Sequence, residues 1–231
     1  MTDAEVVPDF TAFGVTAFTT TRTFGSLGNA SGSVEAARRW DTLRAAAREL
    51  GVGRFATVTQ VHGARVIAHE AGWDGWRRAG DADGHFDAHR STALAVTIAD
   101  CVPVFLAHPG GSIALLHSGW RGTAARIVEQ GIAQFIARGF AAADVQMHLG
   151  PAICGTCYAV SADVAEQLLR QPQAGARTVD LRALIADHAR AIGVTRITTS
   201  SLCTKCDNDR FFSHRAGDSG RQLAVMIPAA P

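Results

Sequence analysis

No apolar stretch of this 231-residue chain approaches the roughly 20 residues that a membrane-crossing helix needs. Charge of one sign is missing too. The 22 basic and 21 acidic residues leave a formal net charge of +1, so no bulk field gathers nucleic acid or an anionic membrane, and any anionic ligand is expected to be held by local groups. The start, Met1-Thr2-Asp3-Ala4-Glu5, lacks the basic segment of a signal peptide. There is no internal repeat, no interdomain linker, and no low-complexity tract beyond a short Gly/Ser loop. A cytoplasmic protein folded as one domain over residues 1–231 is expected, because a chain of this length that is 47% hydrophobic can bury a sizeable core. In that compartment the five cysteines are expected to be reduced, which favours metal binding or catalysis over a disulfide framework.

What is present is a set of short apolar runs with strand character: 15–21, 54–60, 64–69, 92–98, 102–107, 112–117, 145–149, 195–199 and 223–227. A Gly/Ser-rich loop is expected from Gly25 to Ser33, after which Ser33 can cap a helix ending at Gly51, with Val34, Ala37, Trp40, Leu43, Ala47 and Leu50 as its apolar stripe. Further helices are predicted over about 122–138, stopped by Gly139, over 161–170, before Pro172, and over 180–192. Consecutive strands without intervening helices, mixed with true βα steps, predict an α/β (α+β) arrangement of mixed sheets covered by helices, not a regular doubly wound parallel sheet.

Three of the strand-like runs end in a soft ligand or nucleophile. Phe55-Ala56-Thr57-Val58 leads to His62, Leu94-Ala95-Val96-Thr97-Ile98 to Cys101, and Ile113-Ala114-Leu115-Leu116 to His117. If three neighbouring strands end at one edge, two imidazoles and one thiolate meet there. Such a set holds zinc with one coordination position open, and zinc lowers the pKa of bound water to roughly 7 in favourable sites. Any one of the three alone would pass as a core cysteine or a strand-end histidine; the shared context is what singles them out. Asp100 precedes Cys101 in an apolar run, where a carboxylate needs donors. Because alternate residues on a strand face opposite ways, it can brace a loop or a histidine behind the site, and supporting and catalytic roles stand side by side. Asp83, beside Gly84, has the character of a turn residue.

Arg121 lies at a strand-to-helix turn flanked by Gly119 and Gly122, where backbone amides and a guanidinium can hold an anion; a plain tight turn is the equal alternative. Arg22, after Thr19-Thr20-Thr21, is a similar candidate. Cys154-Gly155-Thr156-Cys157 and Cys203-Thr204-Lys205-Cys206 have the form of a structural zinc site, but the long stretch between them, with two predicted helices, makes closure depend on the halves meeting in the fold. In Phe211-Phe212-Ser213-His214-Arg215, aromatics beside His and Arg could line a pocket for a planar ring, although the run alone fits a core anchor before a charged turn.

Taken together, Gln60-Val61-His62-Gly63, Ala99-Asp100-Cys101-Val102-Pro103, His117-Ser118-Gly119-Trp120-Arg121-Gly122, Leu149-Gly150-Pro151 with Cys157-Tyr158, and Leu202-Cys203-Thr204 with Phe211-Phe212-Ser213-His214-Arg215 resemble the laccase-domain family of YfiH-like and YlmD-like proteins. Members are described variously as polyphenol oxidases, purine nucleoside phosphorylases and peptidoglycan-editing factors. The resemblance runs from Thr20-Thr21-Arg22 to Gly220-Arg221-Gln222. It implies a four-layer α/β/β/α sandwich with zinc on His62, Cys101 and His117. It also implies phosphorolysis of adenosine, inosine or methylthioadenosine and hydrolytic deamination of adenosine, with purine nucleoside and phosphate as partners. Cys101, Asp100 and Arg22 become the catalytic candidates, and Arg22, Arg121 and His214 the candidates for binding substrate or phosphate. The loop after Arg22 is shorter than the family's usual segment, and the C-x-x-C pairs resemble a variation within the family that does not by itself require a second metal.

Two other enzyme classes compete. A copper-dependent polyphenol oxidase can use two histidines and a cysteine, but clusters that reduce dioxygen need many more histidines, in His-x-His pairs that this chain lacks, so copper ranks below zinc. A cysteine hydrolase acting on peptidoglycan precursors would use Cys101 as nucleophile and His117 as its base. A structural zinc module is the non-enzymatic option. The oligomeric state is not readable from the sequence.

Overall fold

The computed structural model describes residues 3–27 and 33–230; Met1, Thr2, residues 28–32 of the expected Gly/Ser loop, and Pro231 lie outside the described residues. Two mixed six-stranded sheets pack face to face with helices outside each, giving the α/β/β/α order. The first sheet has the order β1 (Ala4–Val6), β2 (Val15–Thr20), β14 (Gln222–Pro228), β7 (Thr92–Ile98), β3 (Arg54–Thr59), β5 (Gly75–Asp81). The second has the order β13 (Arg196–Thr199), β10 (Gln146–Leu149), β8 (Val102–Ala107), β9 (Ile113–Ser118), β6 (Gly84–Asp87), β4 (Val66–Ala68). A small ribbon joins β11 (Ala159–Val160) to β12 (Arg177–Thr178). No described helix is long and apolar enough to cross a membrane.

Alternation explains why the central strands are apolar throughout. Leu94, Val96 and Ile98 of β7 meet Phe105 of β8 and Leu115 of β9 between the sheets, while Ala93 and Ala95 face α1 (Val34–Glu49). Val104, Leu106 and Leu116 point to the other side, against α3 (Ile127–Ile136) and α5 (Leu181–Ala191). Both faces of each strand are covered, so neither face needs polar residues. The caps are specific as well: Ser33 accepts from the Ala36 N–H, and Asp180 accepts from Arg182 and Ala183 at the start of α5.

Several expectations change in detail. The helix predicted over 122–138 is two helices, α2 (Trp120–Ala124) and α3, separated by Arg126 in the left-handed region (φ 58°). That break lets Ile127, Val128, Ile132 and Phe135 turn onto the second sheet. On α1, Val34 is 68% exposed and Ala36 is buried instead. Strands β5 and β6, absent from the predicted set, flank Asp83. The helix over 161–170 is α4 (Ala162–Leu169).

One position tests the packing. Gly131 sits inside α3, where alanine would gain up to about 1 kcal/mol from helix propensity. A Cβ there would lie 2.8 Å from Leu116 Cδ1 and 3.2 Å from Leu106 Cδ1, both fully buried. Overpacking costs about 1–3 kcal/mol, so Gly131→Ala is expected to lower stability by about 1 kcal/mol net in denaturant unfolding, and a stabilised variant would contradict this packing.

Candidate metal centre

Strands β3 and β7 run parallel and adjacent in the first sheet, so both end at one edge. Their backbone register is matched from Arg54 to Ala56, after which the Gln60 side chain takes over. Its amide donates to Thr97 O (2.8 Å), and its oxygen accepts from the Thr97 N–H and hydroxyl (2.8 Å each). Val61-His62-Gly63 is thereby held beside the end of β7. The chain then crosses between the sheets at Ala99–Cys101 and enters β8, whose Pro103 lies opposite His117 of β9. The expected convergence occurs, but not at the edge of one sheet. Two donors come from the first sheet's strand ends and the third from the second sheet.

The donor atoms of His62, Cys101 and His117 all lie within 4.8 Å of one another. The imidazole rings stand edge to face, with centroids 4.8 Å apart. His62 and Asp100 occupy the left-handed region (φ 60° and 82°), a conformation that disfavours non-glycine residues by about 1–2 kcal/mol and so must be held by the surroundings.

Asp83 supplies that hold at His62. Its carboxylate is fully buried and accepts from the N–H groups of Val61 (3.2 Å), His62 (3.0 Å) and Gly63 (2.7 Å), and its Oδ1 lies 2.8 Å from His117 Nδ1. Burial pushes the carboxyl's pKa up, but the bonds from His117 and the backbone outweigh it and the net shift is downward. Asp83 is thus no simple turn residue, and an Asp before a Gly carries no sequence signal for such a role. The ionised carboxylate fixes the proton on His117 Nδ1 and leaves Nε2 for a ligand.

Cys101 is primed as a thiolate. Burial raises its pKa, but His117 and His62 overcome that and bring it down to about 6. Burial likewise depresses His117, and the Cys101 thiolate with Asp83 reverses this, to about 9. Gly119 completes the cradle: a Cβ there would lie 2.9 Å from Cys101 Sγ and 3.3 Å from His62 Cδ2. Two imidazoles, one thiolate and space kept clear by a glycine suit a tetrahedral ion with one open position.

His62 and Cys101 line a cavity of about 290 Å³ whose walls also include Arg121, Tyr158, His214 and Arg215, while His117 is buried and outside that lining. Tyr158 has no site role readable from the sequence, and Arg215 only a place in the run that could line a pocket; the Arg215 guanidinium lies 5.0 Å over the Tyr158 ring. Burial, with the nearby Cys101, pushes the Tyr158 hydroxyl up to about 12, so it stays protonated and can donate. Arg121 is exposed over the Trp120 ring (4.3 Å). Asp100 also lines the cavity, but both its oxygens are engaged: Oδ1 accepts from the Thr204 hydroxyl (2.6 Å) and Oδ2 from the Arg215 N–H (2.7 Å). It braces the C-terminal loop, and the carboxylate behind the histidine is Asp83.

Arg22 does not line this cavity. Its guanidinium donates to Asn208 O and Phe211 O (3.0 Å each) and to Asp218 Oδ2 (2.7 Å), with Phe212 beneath it. The Arg22 guanidinium, with the Ser213 N–H, holds Asp218 down to about 2. Arg22 therefore clamps the loop that carries His214 and Arg215.

A four-layer α/β/β/α protein with a two-histidine, one-cysteine centre at the seam of its sheets is the class that this geometry defines. The chain belongs to the family described as multi-copper polyphenol oxidoreductase laccase, whose model matches residues 20–229. It is 35% identical, over 85% of its length and 83% of the relative's, to a purine nucleoside phosphorylase of Streptomyces coelicolor. It is 33% identical, over 53% of its length and 52% of the relative's, to an adenosine deaminase from an unknown prokaryotic organism. Among solved structures, YlmD from Geobacillus stearothermophilus superposes with a TM-score of 0.85 at 28% identity, covering 96% of this chain and 94% of that one.

Asp83→Asn tests the support behind the ligands. Losing such a partner typically lowers metal affinity about 10–100-fold, and that decrease is the expected result in a zinc competition titration. Unchanged affinity would remove Asp83 from the site's function.

Proposed function

We propose that this protein is a zinc-dependent enzyme acting on purine nucleosides, with phosphorolysis of adenosine, inosine or methylthioadenosine and hydrolytic deamination of adenosine as its reactions. The observation that carries the reading is the three-donor set on His62, Cys101 and His117, two of whose members, His62 and Cys101, line a cavity walled by Arg121 and His214. The names of the similar proteins point the same way. Zinc, when bound, would supply Lewis-acid polarisation at its open position.

The chain's own residues would do the rest. In phosphorolysis a phosphate oxygen attacks the anomeric carbon, the bond from that carbon to the purine breaks, and the departing base takes up a proton. Arg121 would hold the phosphate at the mouth, and Tyr158 would donate to the base. In deamination a water oxygen adds to the ring carbon bearing the amino group, and ammonia leaves after proton transfer. His214, exposed on the cavity wall, would move that proton. Asp100 and Arg22 would act through position, by fixing the loop that carries His214.

A second reading, a cysteine hydrolase, draws on one observation: Asp83, His117 and Cys101 also have the order of a carboxylate–imidazole–thiolate relay. Copper oxidation of phenols, which the family's description names, would need histidine clusters, and the metal-ligand groups among the described residues are the two-histidine, one-cysteine set and a group of four cysteines.

The test is a nucleoside panel assayed with and without phosphate on metal-quantified protein. Phosphate-dependent release of free base and phosphate-independent conversion of adenosine to inosine are expected. No turnover of any nucleoside by zinc-loaded protein would sink the reading. Cys101→Ser should lose one zinc and turnover together; retained zinc with lost turnover would favour the nucleophile role instead.

Arg22 has its own test. If it acts by clamping the loop, Arg22→Gln and Asp218→Asn should each raise KM roughly 3–10-fold, and the double variant should be no worse than either alone. A rise in KM for phosphate confined to Arg22→Gln would instead mean direct contact with phosphate.

A further inference from the structure

The two C-x-x-C units do meet. The Sγ atoms of Cys154, Cys157, Cys203 and Cys206 all lie within 4.8 Å of one another, although 49 positions separate Cys154 from Cys203 and Cys157 from Cys206. A bridge between Ala152 and Cys203 brings the loop after β10 alongside the loop after β13, and those strands are themselves parallel neighbours. A tetrahedron of sulfurs around zinc, with Zn–S of about 2.3 Å, has edges of about 3.8 Å; the Cys157–Cys206 separation is 3.5 Å. All four thiols are free, so no disulfide competes for them here.

Backbone donors are aimed at the sulfurs. The N–H groups of Cys154 (3.2 Å) and Cys206 (3.4 Å) both point at Cys203 Sγ. Such bonds orient a thiolate and offset its charge, as the outer partners of metal ligands do. The Cys203 N–H is itself fixed by Asp207 (2.9 Å). Buried thiols filling a gap would not need this arrangement, and Cys206 is exposed and Cys157 only partly buried, so packing does not account for the cluster.

We propose that Cys154, Cys157, Cys203 and Cys206 form a second, structural zinc site, closed by four thiolates and separate from the His62–Cys101–His117 set. The thiols give up their protons on binding, and no redox step is involved. Zinc there would pin a wall of the active-site cavity: Tyr158 follows Cys157 directly, and Thr204, between Cys203 and Cys206, donates to Asp100. The proposal stands on sulfur geometry and does not depend on the reaction catalysed at the first site.

Native mass spectrometry of the full chain, purified under reducing conditions, reads it directly. Two zinc ions per chain are expected in the unaltered protein, one in Cys101→Ser, and one in Cys154→Ser/Cys206→Ser. If the latter variant does not fold, alkylation in the Cys101→Ser background still decides: the accessible thiols of Cys154, Cys157 and Cys206 should react in the metal-free protein and be protected when zinc is added. Reduced Cys101→Ser protein that binds no zinc and shows no protection would overturn the proposal. So would a Cys157–Cys206 disulfide in protein prepared reduced, or iron in place of zinc. None of these outcomes depends on nucleoside turnover.

Discussion

A buried carboxylate between two sheets is tolerated only if its charge is fully met, and Asp83 meets that condition with the N–H groups of Val61, His62 and Gly63 on one side and His117 Nδ1 on the other. The first three belong to the segment leaving β3 in the first sheet, and the fourth to β9 in the second. The Asp83 carbonyl also accepts from the His117 N–H (2.7 Å). One residue thus sets the spacing between two histidines carried by different sheets, the tautomer of one and the unfavourable backbone of the other. Gly122 makes the same seam possible from the helix side, where a Cβ would come within 3.0 Å of Gly63 O.

The opposite wall is built differently. It consists of loops from the second half of the chain, drawn in by Asp100 through Thr204 and Arg215 and by Arg22 through Asp218. Arg22 and Asp218 are partly exposed, with side chains 33% and 23% accessible, so solvent and salt reach this wall more readily than the seam at Asp83. His62 and His117 are held by the buried carboxylate of Asp83, whereas the opposite cavity wall is held by polar contacts that are partly exposed. Similar proteins carry two different activity names, and under the proposed function that division would let the buried frame hold the metal while the loops decide what is presented to it.

The parts legible in the sequence are those whose local chemistry is also their structural role. The apolar runs 92–98 and 102–107 have the character of covered strands, and Ser33 is a cap by residue type and position. His62, Cys101 and His117 stand out in the sequence because each ends or follows a buried strand, and the structure brings their donor atoms together. Asp83 was hidden because its four donors are supplied by tertiary structure, and the Gly84-His85-Phe86-Asp87 strand beside it carries polar residues that find their partners only once the sheets form. His85, for instance, bonds His69 at 2.8 Å. Edge strand β5 was hidden for the opposite reason: it is largely exposed, so its Trp76-Arg77-Arg78 run shows no buried face. Arg22 is a candidate anion holder by sequence, yet it lies outside the cavity lining and its guanidinium is bonded to Asp218, a tertiary partner that no local pattern announces.

The same limit explains why the two cysteine signals rank differently in sequence and in space. Paired C-x-x-C units are conspicuous, yet four thiolates around a dipositive ion over-neutralise it and fill every tetrahedral position, leaving no electrophile and no place for substrate. Cys101 stands alone in the sequence, and its single thiolate with two neutral imidazoles would leave the ion positively charged with one position open. Chemistry is therefore expected where ligand charge is scarce. At Cys101, Gly119 keeps the near side clear, and both oxygens of the neighbouring carboxylate, Asp100, are already engaged by Thr204 and Arg215, which would oppose its becoming a fourth ligand.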